Sequence, residues 1–336
     1  MNKTIILDRR PVGKPQLTDF KTTNDERPQI GPGEILLKTS YVSVDPYLRG
    51  RMSDAKSYAV PFQLHQPISS GVIAEVTESN LSGFSKGDFV SGLLQWKEYQ
   101  KSDGLGLLKV DPSKAPLSAY LGVLGMTGLT AYLGLTEIGK PVKGETLVVS
   151  GAAGAVGSIV GQIGKILGCS VIGIAGTDEK VELLKSKYGF DGGINYNATT
   201  DMKKAIADLC PDGVDIYFDN VGGNISDGVL ANINKFARLI ICGSISVYNE
   251  TTIPMGPRVE PLLIKNSALM QGFIVGNYAR KFPEAMHQLS TWLKEGLLTY
   301  SETITEGFDH IPQAFIGLFE GKNNGKMIVK TEQNNN

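Results

Sequence analysis

The period of the hydrophobic pattern changes near residue 120, and the change divides the chain. Before it, apolar residues come in short β-type runs, "EILLKTSYVSV", "SSGVIAEVTES", "DFVSGLLQW" and "LLKV", parted by turn signals such as "GPGE" and "FSKGD". An irregular, mostly β domain is expected there. After it, unbroken apolar runs alternate with segments of helical period. "TLVVS" (146–150) shows no polar alternation, as a strand covered on both faces requires. Beyond it Val156, Ile159, Val160, Ile163, Ile166 and Leu167 fall on one helical face, and Gly168 is placed to end the helix. The alternation continues through strand "SVIGIAG", helix "DEKVELLKSKYG", strand "GGINY", helix "MKKAIADLC", strand "VDIYFDNVGG", helix "ISDGVLANI" and strand "ARLIICGSIS". A strand "ALMQGFIV" (268–275) and a long helix "PEAMHQLSTWLKEG" close it. Successive strand-helix-strand units predict a parallel, doubly wound sheet. After about residue 302 short mixed segments return, and "KMIVK" reads as a strand that completes the first domain.

Composition narrows the function. With 33 Lys plus Arg against 34 Asp plus Glu, the formal net charge of −1 argues against a nucleic-acid or anionic-membrane binder and leaves small molecules or protein as partners. The stretch 119–135, "AYLGVLGMTGLTAYLGL", is interrupted by Thr127, Thr130 and glycines, and is expected as a buried helix lining a cleft rather than a membrane span. The start, "MNKTIILDRRPVG", does not read as a secretory signal, so a cytoplasmic chain is expected; the tail "TEQNNN" is expected to fray. Cys169, Cys210 and Cys242 are too scattered for a disulfide framework or a zinc site, and His65, His287 and His310 have no ligand at metal spacing. No metal is expected, and G-x-S-x-G is absent.

The glycine loop "SGAAGAVGS" carries the strongest signal. Gly151, Gly154 and Gly157 are spaced G-x-x-G-x-x-G between a strand and an amphipathic helix, where backbone N–H groups and the helix dipole suit a pyrophosphate. A Cβ at Gly154 is expected to block the phosphates, and Gly157 to let the helix lie close to the sheet. The second strand ends in Gly176 followed by Thr177, Asp178, Glu179 and Lys180. Asp178 suits either a ribose contact or a helix cap. Lys180, with Tyr196, suits a 2′-phosphate, or else a solvated helix surface. NADP is preferred over NAD. A metal-free hydride enzyme needs hydrogen-bond donors for charge on the substrate oxygen, and tyrosine supplies one. Tyr47, Tyr58 and Tyr248 are candidates, Tyr248 having the best address beyond a strand's carboxyl end.

Several stretches together resemble the zinc-independent branch of the medium-chain dehydrogenase/reductase superfamily, within it the leukotriene B4 dehydrogenase, prostaglandin reductase and curcumin reductase group. They are "SVDPYLRGRM", "LGVLGMTGLTAYLGL", "GETLVVSGAAGAVGSIVGQIGK", "IYFDNVGG", "CGSISVYN" and "GKNNGKMIVK". The resemblance implies a GroES-like, mostly β catalytic domain from residues 1–122 and 303–336, with a Rossmann domain, residues 123–302, between its parts. It implies NADPH held by Gly154, Ala155, Val156 and Gly157, with Lys180 and Tyr196 near the 2′-phosphate. Further cofactor contacts are implied at Asn220, at Cys242, Gly243, Ser244, Ile245, Ser246, Val247 and Tyr248, at Phe273, Ile274 and Val275, and at Asn323. Zinc-binding relatives have Cys where this chain reads "SVSVDP" and Gly-His-Glu where it reads "ISSGVIAE". Many animal members have a tyrosine directly after their "FVV", where this chain has Gly276 and reaches Tyr278 later; Asn324 stands where a bulkier residue is common. The implied reaction is NADPH-dependent reduction of the carbon-carbon double bond of enones or enals. Quinone reduction and non-catalytic NADPH binding are the alternatives, and a homodimer is expected.

Overall fold

The computed structural model describes residues 1–332; the end of the tail expected to fray lies outside the described residues. Two units emerge. One contains Met1–Gly122, Glu302–Asn323 and the chain from Met327 onward; the other contains Val123–Ser301 and Asn324–Lys326.

The first unit opens with the antiparallel pair β1 (Asn2–Leu7) and β2 (Phe20–Asp25). Then come β3 (Ile35–Ser43), the single turn α1 (Leu48–Arg51), β4 (Ser69–Ser79), β5 (Phe89–Gln95), β6 (Tyr99–Ser102) and β7 (Leu108–Val110). The alternation of apolar residues along β3 and β4 puts Ile35, Leu37, Val42, Val72, Ala74 and Val76 into one core with Trp96, whose indole N–H donates to Ser70 Oγ at 2.8 Å.

The second unit holds the parallel sheet. In chain order it runs α2 (Met126–Leu133), β8 (Thr146–Ser150), α3 (Gly157–Ile166), β9 (Ser170–Ala175), α4 (Asp178–Ser186) and β10 (Gly192–Asn195). It continues with α5 (Met202–Leu209), β11 (Val214–Asp219), α6 (Gly223–Leu230), β12 (Ile233–Ile241), α7 (Glu260–Asn266), β13 (Leu269–Gly272) and α8 (Phe282–Lys294). The strand order β10-β9-β8-β11-β12-β13 reverses direction between β8 and β11, which is the doubly wound pattern. Glycines in α3 and in β9 allow close helix packing. A side chain at Gly164 would strike Leu147, and one at Gly173 would meet Phe190 at 2.8 Å and Ala152 at 2.9 Å.

After β14 (Glu302–Glu306) and α9 (Ile311–Leu318), the last strand β15 (Lys326–Lys330) inserts beside β3 in antiparallel register, giving a sheet of order β14-β15-β3-β4-β5-β7 with β6 also on β3.

Two elements differ from expectation. The stretch 119–135 is not one helix: a 3-10 turn covers Leu117–Leu121, the backbone is extended at Gly125 (φ −142°, ψ −152°), and α2 runs on into a π-turn at Gly134–Gly139. No helix among the described residues is long and apolar enough to cross a membrane. The strand expected over 268–275 stops at Gly272, because its partner β12 ends at Ile241, directly opposite; the chain then enters a 3-10 turn at Val275.

Candidate cofactor and substrate site

Because all six strands of the second unit are parallel, their carboxyl ends share one edge of the sheet, with Ser150 beside Ile174, Asn195 beside Ala175, Asp219 beside Ile241 and Ile241 beside Gly272. Every cofactor segment implied by the resemblance in this unit follows one of those ends. Gly154 to Gly157 follow β8, Lys180 follows β9, Tyr196 follows β10, Asn220 follows β11, Cys242 to Tyr248 follow β12, and Phe273 to Val275 follow β13. This is where ligands of open α/β sheets collect.

The loop after β8 is built for backbone approach. A side chain at Gly157 would overlap the Gly151 carbonyl oxygen and stand 2.8 Å from the Ala152 Cα; one at Gly154 would lie 3.1 Å from the same oxygen. The amides of Val156 and Gly157 donate to no acceptor among the described residues, whereas Ser158 and Ile159 return theirs to Gly154 and Val156. Two open N–H groups at the start of α3 suit an anionic oxygen. The far end of the chain supports the loop: the Gly325 amide donates to the Ala153 carbonyl at 2.8 Å, with φ of +68° and a Ser301 carbonyl where a side chain would lie. Asn323 belongs to the first unit, adjoining this segment.

The switch point between β8 and β11 is locked by a carboxylate to which the sequence reading assigned no role. Asp219 is 3% exposed. Its Oδ1 accepts from Ser150 Oγ at 2.8 Å, from the Tyr217 hydroxyl at 2.9 Å and from the amides of Val221 and Gly222 at 2.9 Å; its Oδ2 accepts from Ser226 Oγ. Its carbonyl accepts from Cys242 at 2.8 Å and Gly243 at 3.1 Å. Asn220 is tied to the same place, its amide donating to Ser150 Oγ and its side chain to the Ser150 carbonyl, both at 2.8 Å. These bonds fix the backbone on which the residues after β11 and β12 stand. Burial beside Asp219 pushes the Cys242 thiol up to about 12, so it stays a neutral thiol at physiological pH.

At the end of β9 the helix cap is Thr177, whose Oγ1 accepts from the Lys180 amide at 3.2 Å. Asp178 sits in the first turn and accepts from Asn195 Nδ2 at 2.9 Å. Lys180 is half-buried, and desolvation lowers its ammonium below the usual lysine value. The ring of Tyr196 lies against the end of β9, where a side chain at Gly176 would stand 3.0 Å from its hydroxyl. A lysine in the first turn of α4 and a phenol just past β10 match the chemistry of a phosphate.

Tyr248 lies just past the 3-10 turn Ile245–Val247. Its hydroxyl accepts from the Ser244 amide at 3.2 Å and also interacts with the Ser244 side chain. Burial raises its pKa, so the phenol keeps its proton at neutral pH. Phe273 packs edge-on against Phe218 and Tyr278, at ring separations of 6.4 and 6.2 Å, while Ile274 is partly exposed. In the first unit, Tyr47 immediately precedes α1 and packs on the core; burial raises its phenol well above the usual value, with Asp45 adding to the rise. Tyr58 is 65% exposed, and its hydroxyl interacts electrostatically with Tyr47 and Arg51. No three His, Cys, Asp or Glu side chains among the described residues stand together as a metal site.

Two family models match the chain, one described as the N-terminal domain of oxidoreductase over residues 3–110, the other as a zinc-binding dehydrogenase over residues 155–291. YfmJ of Bacillus subtilis is 56% identical over 97% of this chain and 96% of its own length. The NADPH-dependent curcumin reductase of Escherichia coli is 42% identical over 98% and 96%, and the 2-alkenal reductase (NADP(+)-dependent) of Nicotiana tabacum 41% identical over 98% and 97%. The crystal structure of CurA in complex with NADPH from Vibrio vulnificus superposes with a TM-score of 0.94 at 45% identity, covering 98% of this chain and 99% of that one. A β-rich unit joined to a doubly wound sheet, with a glycine cradle and open amides at the sheet's carboxyl edge, defines an NADPH-dependent oxidoreductase of small molecules. More narrowly, the chain belongs to the zinc-independent medium-chain dehydrogenase/reductase superfamily, in its curcumin, alkenal and prostaglandin reductase group.

Proposed function

We propose that this enzyme reduces the carbon-carbon double bond of α,β-unsaturated ketones and aldehydes and leaves the carbonyl intact. NADPH supplies the hydride when bound; the chain supplies its placement and the stabilisation of charge. The amides of Val156 and Gly157 take the pyrophosphate, Lys180 and Tyr196 the 2′-phosphate, and the segments Asn220, Cys242–Tyr248 and Phe273–Val275 the nicotinamide half. As the β-carbon is reduced, negative charge develops on the substrate oxygen, and a proton then adds at the α-carbon. Tyr248 is the observation that carries this reading. Its phenol stays protonated, has its lone pair engaged by the Ser244 amide, and has an O–H donor to offer to that oxygen. Tyr47 and Tyr58 are the corresponding candidates of the first unit. The relatives named for curcumin and for 2-alkenals support the substrate class.

The test is NADPH oxidation over enals, enones and quinones with products identified by mass. The saturated carbonyl compound is expected, and an alcohol, or turnover of quinones alone, overturns the reading. Tyr248→Phe is expected to lower kcat on an enone by about 10²–10³, a loss larger than any loss of NADPH affinity; unchanged turnover removes Tyr248 from the role. We further propose a homodimer through the edge strand β13, where Leu269 is 48% exposed, a pairing site for a second copy. Light scattering giving a single-chain mass overturns it.

A further inference from the structure

Asn195 closes β10 directly opposite Ala175, the last residue of β9, so the two chains leave the sheet side by side. Hydrogen bonds hold them together past the sheet. The Tyr196 amide donates to the Ala175 carbonyl at 3.0 Å, and Asn197 Nδ2 donates to the Gly176 carbonyl at 2.7 Å. Asn195 Oδ1 accepts from the Asn197 amide at 3.0 Å, which leaves the other arm of the same side chain, Nδ2, to donate to Asp178 Oδ1 at 2.9 Å. The loop also closes on itself, with Thr199 Oγ1 donating to the Asn195 carbonyl at 2.7 Å. Asp178 is thereby tied to the end of β10.

This acid stands where a phosphate would not welcome one. It lies two positions before Lys180 in the first turn of α4, and Thr177 already caps that helix, so capping does not account for it. An acidic residue just past the second strand of a dinucleotide-binding sheet serves the ribose hydroxyls of NAD. The 2′-phosphate of NADPH instead carries about −1.5 to −2 charges near neutral pH and is repelled by a carboxylate beside it. Asp178 is exposed, so without a fixed partner its side chain can turn among its rotamers, toward an arriving phosphate included. A carboxylate only accepts hydrogen bonds, and the Asn195 amide supplies the donor that holds it in one place. The same bonds set the Tyr196 ring against the end of β9, where a side chain at Gly176 would stand 3.0 Å from its hydroxyl.

We propose that Asn195 is a cofactor-specificity residue: by holding Asp178 it keeps that carboxylate from the 2′-phosphate and raises the preference for NADPH over NADH. The inference rests on the placement of the 2′-phosphate at Lys180 and Tyr196 proposed above, and adds the residue that restrains the acid beside it. The test is a double-mutant cycle read in binding, with dissociation constants of NADPH and NADH from fluorescence titration at neutral pH. Asn195→Ala is expected to lower the NADPH-to-NADH affinity ratio about 5-fold. In an Asp178→Asn background the same substitution is expected to change the ratio by less than about 2-fold. Asn195→Val, a strand former without a donor, takes its place should Asn195→Ala not fold. An unmoved ratio overturns the proposal. So does an equal fall in both backgrounds, because the loss then comes through Tyr196 and not through the charge of Asp178. Lys180→Ala, measured alongside, separates the two readings. If it leaves the ratio unchanged while Asn195 and Asp178 remain coupled, the placement of the phosphate at Lys180 fails and the role of Asn195 stands; if it collapses the ratio while the coupling is absent, the role of Asn195 alone fails.

Discussion

Lys180 shows how a single side chain is decided by its surroundings. In the sequence it reads equally as a solvated helix lysine; in the structure it is half-buried in the first turn of α4, and its pKa falls because burial disfavours the charged form. Lys180→Ala is expected to weaken NADPH binding by about 10-fold or more while changing NADH binding by no more than about 3-fold, since the two differ by the 2′-phosphate. The sign with pH follows. A lysine is cationic below its pKa, and this pKa is lowered, so the preference for NADPH over NADH is expected to decline with rising pH in the alkaline range before an exposed lysine would titrate. Fluorescence titration of both cofactors across that range, in the wild type and Lys180→Ala, checks it; an equally steep decline in the variant removes Lys180 from the role. Asp219 teaches the converse. The "FDNVGG" motif drew attention to Asn220, yet Asp219 is the more connected residue, and its principal partner Ser150 lies 69 positions earlier. Nothing local to the motif announces that bond.

Elements were more legible than residues. Strands β8 to β12 and the helices between them follow from unbroken apolar runs and 3.6-residue periodicity, because burial on both faces of a parallel sheet leaves little freedom in residue type. Edges were less legible: β13 stops at Gly272 because β12 supplies no partner beyond Ile241, a fact of pairing rather than of composition. The glycine loop stands between these cases. Its spacing was visible, and the structure adds why Gly157 tolerates no side chain. Gly157→Ala is expected to destabilise the protein by about 1–3 kcal/mol and to weaken NADPH binding by displacing the Val156 and Gly157 amides. Thermal unfolding with and without NADPH measures both effects; a wild-type melting temperature would show that the loop relaxes freely.

At the scale of the whole chain, the first unit depends on residues from both ends of the sequence. β15 places Met327, Ile328 and Val329 in buried positions beside β3. Each such side chain contributes roughly 1.5–3 kcal/mol, so losing all three removes roughly 4.5–9 kcal/mol, comparable with the roughly 5–15 kcal/mol that keeps a domain folded. Ending the chain after Lys326 is therefore expected to unfold the first unit while sparing the Gly325 bond to the glycine loop. The chain has two tryptophans, Trp96 in the first unit and Trp292 in the second. In a Trp292→Phe background, emission from buried Trp96 reports on the first unit: a red shift on truncation is expected, and unshifted emission with an unchanged melting temperature overturns the prediction.

What the amino-acid order determined by itself is what depends on neighbours a few positions apart: the change of period near residue 120, the strand-turn-helix at the glycine loop, the alternating strands and helices, and the motifs that resemble one reductase group. Tertiary structure decided what depends on residues brought together from afar. It made Thr177 rather than Asp178 the helix cap, joined Ser150 to Asp219 across the switch point, and set Gly325 against the glycine loop. Hydrophobic periodicity is a local property that burial writes into the chain, whereas a hydrogen-bond partner or an ion pair is a property of distance in space, which residue order does not encode one position at a time.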